Sequence, residues 1–348
     1  MANGGDMVGS LLTEMDLRTN YLESRELDSI YFGGGTPSIL RAKQLEAIFE
    51  NLHKNFNWRS TCEITLEANP DDITPENLFL WKRMGINRLS IGLQSFNNAE
   101  LKWMNRAHTA EESFKCVKMA QDAGFDNISI DLIYGSKFQT LSDWHKTLDT
   151  AIALNTSHIS SYNLTIESKT ALGVNYKRGK EPGVNEDLSS KQFLLMIEKF
   201  SNAGFLHYEI SNFAKPDFLA VHNSNYWLQK PYLGIGPSAH SFNGKSRQWN
   251  VKNNSLYIKA LNEGGTYFEK EELSTRDAYN EYVLTRLRTI WGCDVKEIEK
   301  KFGEKFLSYF KNGCEEKREF LIETNGVYTL NESGKLQADG IASDLFFL

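Results

Sequence analysis

The sequence predicts an α/β fold: a parallel sheet curled as a barrel, followed by a smaller helical module. Three observations predict it. Six short strand-like segments recur about every thirty residues. Helical stretches separate them, and such alternation implies a parallel sheet because each crossover returns the chain to the same end. Each segment also runs into residues suited to holding a ligand. Ser29-Ile30-Tyr31-Phe32 leads into Gly33-Gly34-Gly35-Thr36-Pro37, Ile64-Thr65-Leu66 into Glu67-Ala68-Asn69-Pro70, and Leu89-Ser90-Ile91 into Gly92-Leu93-Gln94-Ser95. Ile128-Ser129-Ile130 leads into Asp131, Ile159-Ser160-Ser161 into Tyr162-Asn163, and Tyr208 into Glu209-Ile210-Ser211-Asn212. In a barrel the C-terminal strand ends meet on one face, where active sites lie.

In chain order, residues 7–22 read as a helix with Met7, Leu11, Leu12, Met15, Leu17 and Tyr21 on its apolar stripe. A strand follows at 28–32, and helices at 41–56, 75–84, 98–104, 110–123, 141–154 and 185–202 alternate with the later strands. Thr74 suits an N-cap and Pro75 the first helical position. Gly85, Gly124 and Gly204 fall where left-handed helix terminators belong. Met84-Gly85-Ile86-Asn87-Arg88 and Ala123-Gly124-Phe125-Asp126-Asn127 look alike, as repeated helix-to-strand turns do. The pattern weakens after Asn212, and 213–250, rich in aromatics, glycine and proline, read as long loops against the barrel mouth. A second unit starts near Ser274, with a helix carrying Tyr282, Leu284, Leu287 and Ile290, a short β-wing at Val327-Tyr328-Thr329-Leu330, and a last helix ending in Leu345-Phe346-Phe347-Leu348. Three segments result: a barrel over 1–212, a connecting segment over 213–273, and a winged-helix-like domain over 274–348 with no basic stripe, which favours a lid or packing role over DNA binding.

The 348 residues suit one barrel-sized domain plus a smaller one. Hydrophobic residues make up 41% and charged ones 24%, ordinary for a globular protein, and the net charge of −6 argues against a general nucleic-acid binder. No apolar run approaches the ~20 residues of a membrane span, and Met1-Ala2-Asn3-Gly4-Gly5-Asp6 lacks a signal-peptide pattern. Cys62, Cys116, Cys293 and Cys314 are far apart, read as small buried residues, and point to a reducing, cytoplasmic setting.

The triple glycine closes a strand, frees the backbone for close approach, and exposes N–H groups to a carboxylate or phosphate; it matches neither dinucleotide nor nucleoside-triphosphate loops. A tight turn alone would need one glycine. Glu67 and Asp131 each follow an apolar strand and suit ribose hydroxyls, an ammonium group or acid–base work; equally, each could cap a helix or pair with Arg88 or Arg106. Gln94 and Arg106 add an amide and a fixed cation suited to a ligand carboxylate, with a plain surface arginine as the other reading of Arg106. His222-Asn223-Ser224-Asn225-Tyr226-Trp227 and the later His240 lie among Trp, Tyr, Phe and glycine, which suits a flat aromatic ligand or a metalloporphyrin as well as a core histidine in an aromatic cluster.

Together, Gly-Gly-Gly-Thr-Pro, Glu-Ala-Asn-Pro, Ile-Gly-Leu-Gln-Ser-Phe, Asn-Arg-Ala-His and Ile-Asp-Leu-Ile-Tyr-Gly resemble the radical S-adenosylmethionine (SAM) proteins of the oxygen-independent coproporphyrinogen III oxidase family. His-Asn-x-x-Tyr-Trp, with Tyr-Leu-Gly-Ile-Gly-Pro-Ser-Ala-His-Ser-Phe after it, is similar to the heme chaperone branch of that family. The resemblance runs from about residue 8 to the C-terminus. It implies a partial (β/α)6 barrel with SAM across the strand ends. Gly34, Gly35 and Thr36 would contact its methionine part, Glu67 its amino group or ribose region, and Gln94, Arg106 and Asp131 would complete the pocket. It assigns heme to His222, Asn223, Tyr226, Trp227 and His240. The family opens with a strand bearing C-x-x-x-C-x-x-C, whose thiolates hold a [4Fe–4S] cluster. Only residues 1–6 precede the first helix here, and none is cysteine. The resemblance therefore implies a barrel missing its first strand and its cluster ligands, as in a sequence started at an internal methionine or a cluster-free descendant.

The expected function is a heme chaperone that passes heme to an unidentified acceptor protein, with no catalytic residue assigned, no nucleic acid, and peripheral membrane contact left open. The alternatives are an oxygen-independent coproporphyrinogen III oxidase and, apart from any resemblance, a barrel glycosidase using Glu67 and Glu209.

Overall fold

The computed structural model describes residues 4–348; residues 1–3, part of the opening stretch read above for a leader pattern, lie outside the described residues. The chain divides into two compact units, one of 1–35, 39–64 and 221–348, the other of 36–38 and 65–220. These boundaries differ from the three consecutive segments read in the sequence because elements far apart in the chain pack together, such as the helices Gly4–Leu17 and Asn254–Glu263 of the first unit.

Each of the six strand segments forms a strand: β1 Glu26–Phe32, β2 Asn57–Ala68, β3 Arg88–Gln94, β4 Asn127–Tyr134, β5 His158–Asn163 and β6 Leu206–Glu209. A seventh, β7 Asn212–Ala214, joins them in the order β1-β2-β3-β4-β5-β7-β6. From β2 to β5 the ladder is parallel. The repeated helix-to-strand turns set its register. Helices Pro75–Arg83 and Ala110–Asp122 both end at a glycine of positive φ (Gly85 +91°, Gly124 +82°), followed by a six-residue return bond from Ile86 N to Trp81 O and from Phe125 N to Ala120 O. Three residues further on in one turn and three in the other, Arg88 and Asn127 start β3 and β4 opposite each other.

That register separates the strand faces. Leu66, Leu89, Ile91, Leu93, Ile128, Ile130, Leu132 and Ile159 are all buried on one set of positions. On the alternate positions Glu67 lies opposite Ser90, Ser90 opposite Ser129, Ser129 opposite His158 and Asp131 opposite Ser160. One face is thus a hydrocarbon core and the other a polar layer.

The sixth segment departs from the expectation. β7 runs antiparallel to both β5 and β6 and lies between them. Ile210 and Ser211 turn the chain back within a tight hairpin, and the Asn212 amide donates to the buried Glu209 carboxylate. Glu209 therefore closes a hairpin.

In the first unit the helix ends at Leu17, which is exposed, rather than at residue 22, since Arg18 and Tyr21 enter a turn. Its buried face holds Val8, Met15 and Glu14. The Glu14 carboxylate accepts from the Tyr257 hydroxyl, from Gly236 N (2.8 Å) and from Asn250 Nδ2 (2.7 Å). Burial raises its pKa despite these bonds. Residues 213–250 are not long loops. They carry β7, the helix Val221–Trp227, and two strands, β8 His240–Phe242 and β9 Ser246–Asn250; β9 pairs with β8 on one side and with β10 Phe268–Glu272 on the other. The Asn243 side chain accepts from Lys245 N and Ser246 N and so closes the β8–β9 turn, a local signal that composition hides.

The β-wing is present as β11 Cys293–Asp294, β12 Leu321–Thr324 and β13 Val327–Leu330, in the order β11-β13-β12. Asn325 and Gly326, both with positive φ, form the two-residue turn joining β12 to β13. The last helix is Ala338–Asp344 and stops short of Leu345. Among the described residues no helix is long and apolar enough to cross a membrane.

Trp144 is fully buried in the second unit, on a helix (Leu141–Ala153) packed against Glu186–Asn202, and its indole N–H donates to Gln192 O at 2.9 Å. Trp144→Ala is expected to cost about 3–5 kcal/mol, through the cavity it leaves, read as a lowered urea midpoint.

Candidate functional site

The strand tips of the second unit gather four of the residues singled out in the sequence. Asp131 ends the polar face of β4, with Ser90 Oγ 3.4 Å from its carboxylate. Burial pushes its pKa up from 3.8 to about 6; Ser160, Arg88 and Ser90 oppose the rise, and neighbouring Glu67 adds to it. Arg106 sits in the loop after the helix Asn98–Trp103 and faces both Asp131 and Asp71, although burial lowers its pKa overall. Gln94 and Arg106 converge over Gly92, where a Cβ would stand 2.9 Å from Gln94 Nε2 and 3.1 Å from Arg106 Nη2. Any side chain at 92 would displace one of them. Asp131 thus interacts with both candidate arginines, Arg88 and Arg106, so the pairing reading and the ligand reading meet in one cluster.

Thr36 is exposed in the loop 36–38, which is tied to the loop after β2 by Ser38 Oγ donating to Asp72 at 2.6 Å. Gly34 and Gly35 close the preceding stretch of the first unit. Gly34 has a φ of +75°, and beyond the adjoining residues no described atom lies within 4 Å of the Cβ position at either glycine.

Within the first unit, the helix Val221–Trp227 packs on β1. The Glu63 carboxylate accepts the backbone N–H of Val221 and of His222, each at 2.9 Å, as an anion at a helix start should. His222 Nδ1 lies 2.9 Å from Ser29 Oγ, its ring stacks on Tyr31 (4.7 Å, 20°), and Tyr226 meets its edge (5.0 Å, 78°). Tyr226 continues to Tyr232, and Tyr232 to Phe242. Burial raises the Tyr226 phenol to about 12, so it stays neutral. Trp227 carries the Arg288 guanidinium over its ring at 5.4 Å. Asn223 is half-buried on the same helix. His240 is exposed on β8, and its ring lies 6.5 Å from the Trp249 ring.

Sequence reasoning passed over Ser29, Tyr31 and Glu63, which orient His222, and His108, which bonds Leu93 O beside Gln94. No local pattern marks the first three, because they lie more than 150 residues from their partner. His108 stood in a quoted motif without a role.

The four cysteines do not fit an iron–sulfur cluster. All are buried, and burial pushes the thiols up, to about 11 for Cys62 and about 12 for Cys116 and Cys314, whereas a thiolate ligand needs the reverse. Among the described residues no group of three or more His, Cys, Asp or Glu is placed to hold a metal.

Residues 14–151 match the family model of the Radical SAM superfamily. The chain aligns with the coproporphyrinogen III oxidase (HemN) of Escherichia coli, a radical SAM enzyme, at a TM-score of 0.84 and 23% identity over 98% of this chain and 82% of that one. The fold is therefore the α/β partial barrel of the radical SAM class, with an additional C-terminal helical module. The heme chaperone HemW of Bacillus subtilis is 31% identical over 89% of this chain and 83% of its own length, and that of Haemophilus influenzae is 32% identical over 90% and 82%. The chain belongs to the HemW family.

The raised Asp131 pKa fixes the sign of a pH effect. The folded state holds a proton that the unfolded state releases near pH 4, so the stability tied to this proton is complete below pH 4 and is lost as pH rises through about 6. Asp131→Asn is expected to match the wild type near pH 4 and to exceed it by on the order of 3 kcal/mol at pH 7, measured as urea midpoints across pH.

Proposed function

We propose that this chain is a heme chaperone: it binds heme at the His222 segment and hands it to an acceptor protein, and it binds SAM at the strand tips of its second unit. The observation that carries the heme reading is the mounting of His222. A metal-binding imidazole needs one nitrogen engaged so that ring orientation and tautomer are fixed. Ser29 on Nδ1 and the flat face of Tyr31 do this, and Glu63 fixes the backbone beneath. Asn223, Tyr226 and Trp227 on the same short helix offer an amide and aromatic surface to a porphyrin, with His240 as a further exposed imidazole. Heme here is cargo. A site built on one short helix and a strand edge suits a ligand that must leave again.

The donor set at the strand tips fits SAM. Its carboxylate suits the Arg106 guanidinium, its ammonium and ribose hydroxyls suit Glu67, and its sulfonium is favoured by the negative charge at Asp131. Gln94 supplies a neutral amide and Thr36 a hydroxyl. Bound SAM supplies a sulfonium centre and an adenosine surface. The chain's own residues hold and orient it, and no redox step is assigned to the four buried thiols. Those reduced cysteines support action in the cytoplasm.

Hemin titrated into the full chain is expected to give a saturable shift of the Soret band, with His222→Ala weakening binding about tenfold or more and Ser29→Ala changing the iron spectrum. No shift in the unsubstituted chain would overturn the heme reading.

A further inference from the structure

We propose that His108 and Glu100 are positioning residues which clamp Gln94 in a strained backbone turn and so fix its carboxamide against the ligand; this rests on the SAM reading above. Gln94 has a φ of +68°, and the N–H of Ser95 bonds to the carbonyl of Leu93 at 2.8 Å. A two-residue return bond around a residue of positive φ is a γ-turn of the rare, strained kind. Between Ile91 and Gln94 the β3–β4 register slips, so the turn also breaks the ladder that would otherwise hold it. Such strain persists only when the surroundings over-determine it.

The surroundings do so from both sides. Before the turn, Leu93 O also accepts from His108 Nε2 at 3.1 Å. A carbonyl can only accept, so this nitrogen carries the proton. Burial lowers the His108 pKa, which favours the neutral ring. After the turn, Ser95 Oγ donates to the Glu100 carboxylate and accepts Asn97 N at 3.0 Å. Glu100 is buried and takes two more donors, Ser136 Oγ and Gln139 Nε2 (3.3 Å), from the segment after β4. His108, Ser95 and Glu100 are all buried, and their hydrogen bonds go to the turn and the segments around it. Both braces come from the stretch 98–108, which also presents Arg106. One segment thus supplies a ligand contact and sets its neighbour.

The test uses the full chain with SAM as probe in equilibrium dialysis. His108→Ala is expected to weaken SAM binding about tenfold, and His108→Gln, which keeps a side-chain N–H, to restore most of it. Because His108 acts through Gln94, adding His108→Ala to Gln94→Ala should weaken binding no further. Without ligand, the Ser95 amide should exchange faster in His108→Ala and in Glu100→Gln, while β4 amides stay protected and report an intact fold. Additive losses in the double variant, or unchanged Ser95 exchange, would overturn the clamp. If the unsubstituted chain binds no SAM, the SAM reading fails separately, and Ser95 exchange still decides whether the clamp exists.

Discussion

The constraint on which the second unit depends is the in-register parallel pairing of β2 to β5. Side chains alternate along a strand with a period of two, so a slip of one residue would exchange the two faces. In register, Leu66, Leu89, Ile91, Ile128, Ile130 and Ile159 share one buried face, and Glu67, Ser90, Ser129, His158, Asp131 and Ser160 share the other. The slipped arrangement would bury carboxylates among hydrocarbon and expose the aliphatic set, a cost well beyond any loop preference. Matched glycine-terminated turns before β3 and β4 start both strands at the same level, and so protect the register where it matters most.

The polar layer has its own economy of charge. Two carboxylates, Glu67 and Asp131, share a region with two guanidinium groups, Arg88 and Arg106, and burial keeps Asp131 reluctant to ionise. His158 is held neutral among Ser129, Tyr208 and Arg88. A zwitterionic ligand with an extra positive centre complements such a set better than a simple anion or cation, since each of its charges finds an opposite one already desolvated. In the first unit, by contrast, the His222 ladder is mostly aromatic and neutral, with Glu63 spent on the helix start. The two sites differ in kind, one electrostatic and one built of rings.

Much of this was legible in the sequence because it is local. The strand tips, the Thr74 cap, the Gly85 and Gly124 turns and the Val327–Leu330 strand each carry their signal within a few residues. Gln94, Glu67, Asp131 and Arg106 could be named because each follows a periodic apolar run or sits in a motif. What escaped was long-range or hidden by polarity. The first half of β2, Asn57 to Cys62, is mostly polar and reads as loop. β7 has only three residues, too few for a pattern. The Asn243 turn and the short strands around it read as irregular because their aromatic content has no period. Tyr31 and Glu63 could not be tied to His222 from sequence alone, and the strained turn at Gln94 is a backbone property that no residue type announces.

The division of the chain bears on the order of its folding. Apart from the loop 36–38, the second unit is a single run, 65–220, and can complete its sheet as soon as that run has left the ribosome. The first unit cannot. Glu14 takes its bonds from Gly236, Asn250 and Tyr257, so its carboxylate must wait for more than two hundred further residues to be synthesised before it gains them. Until then the opening helix lacks these partners, and the His222 ladder, which needs both β1 and the helix Val221–Trp227, is a late-forming part of the molecule.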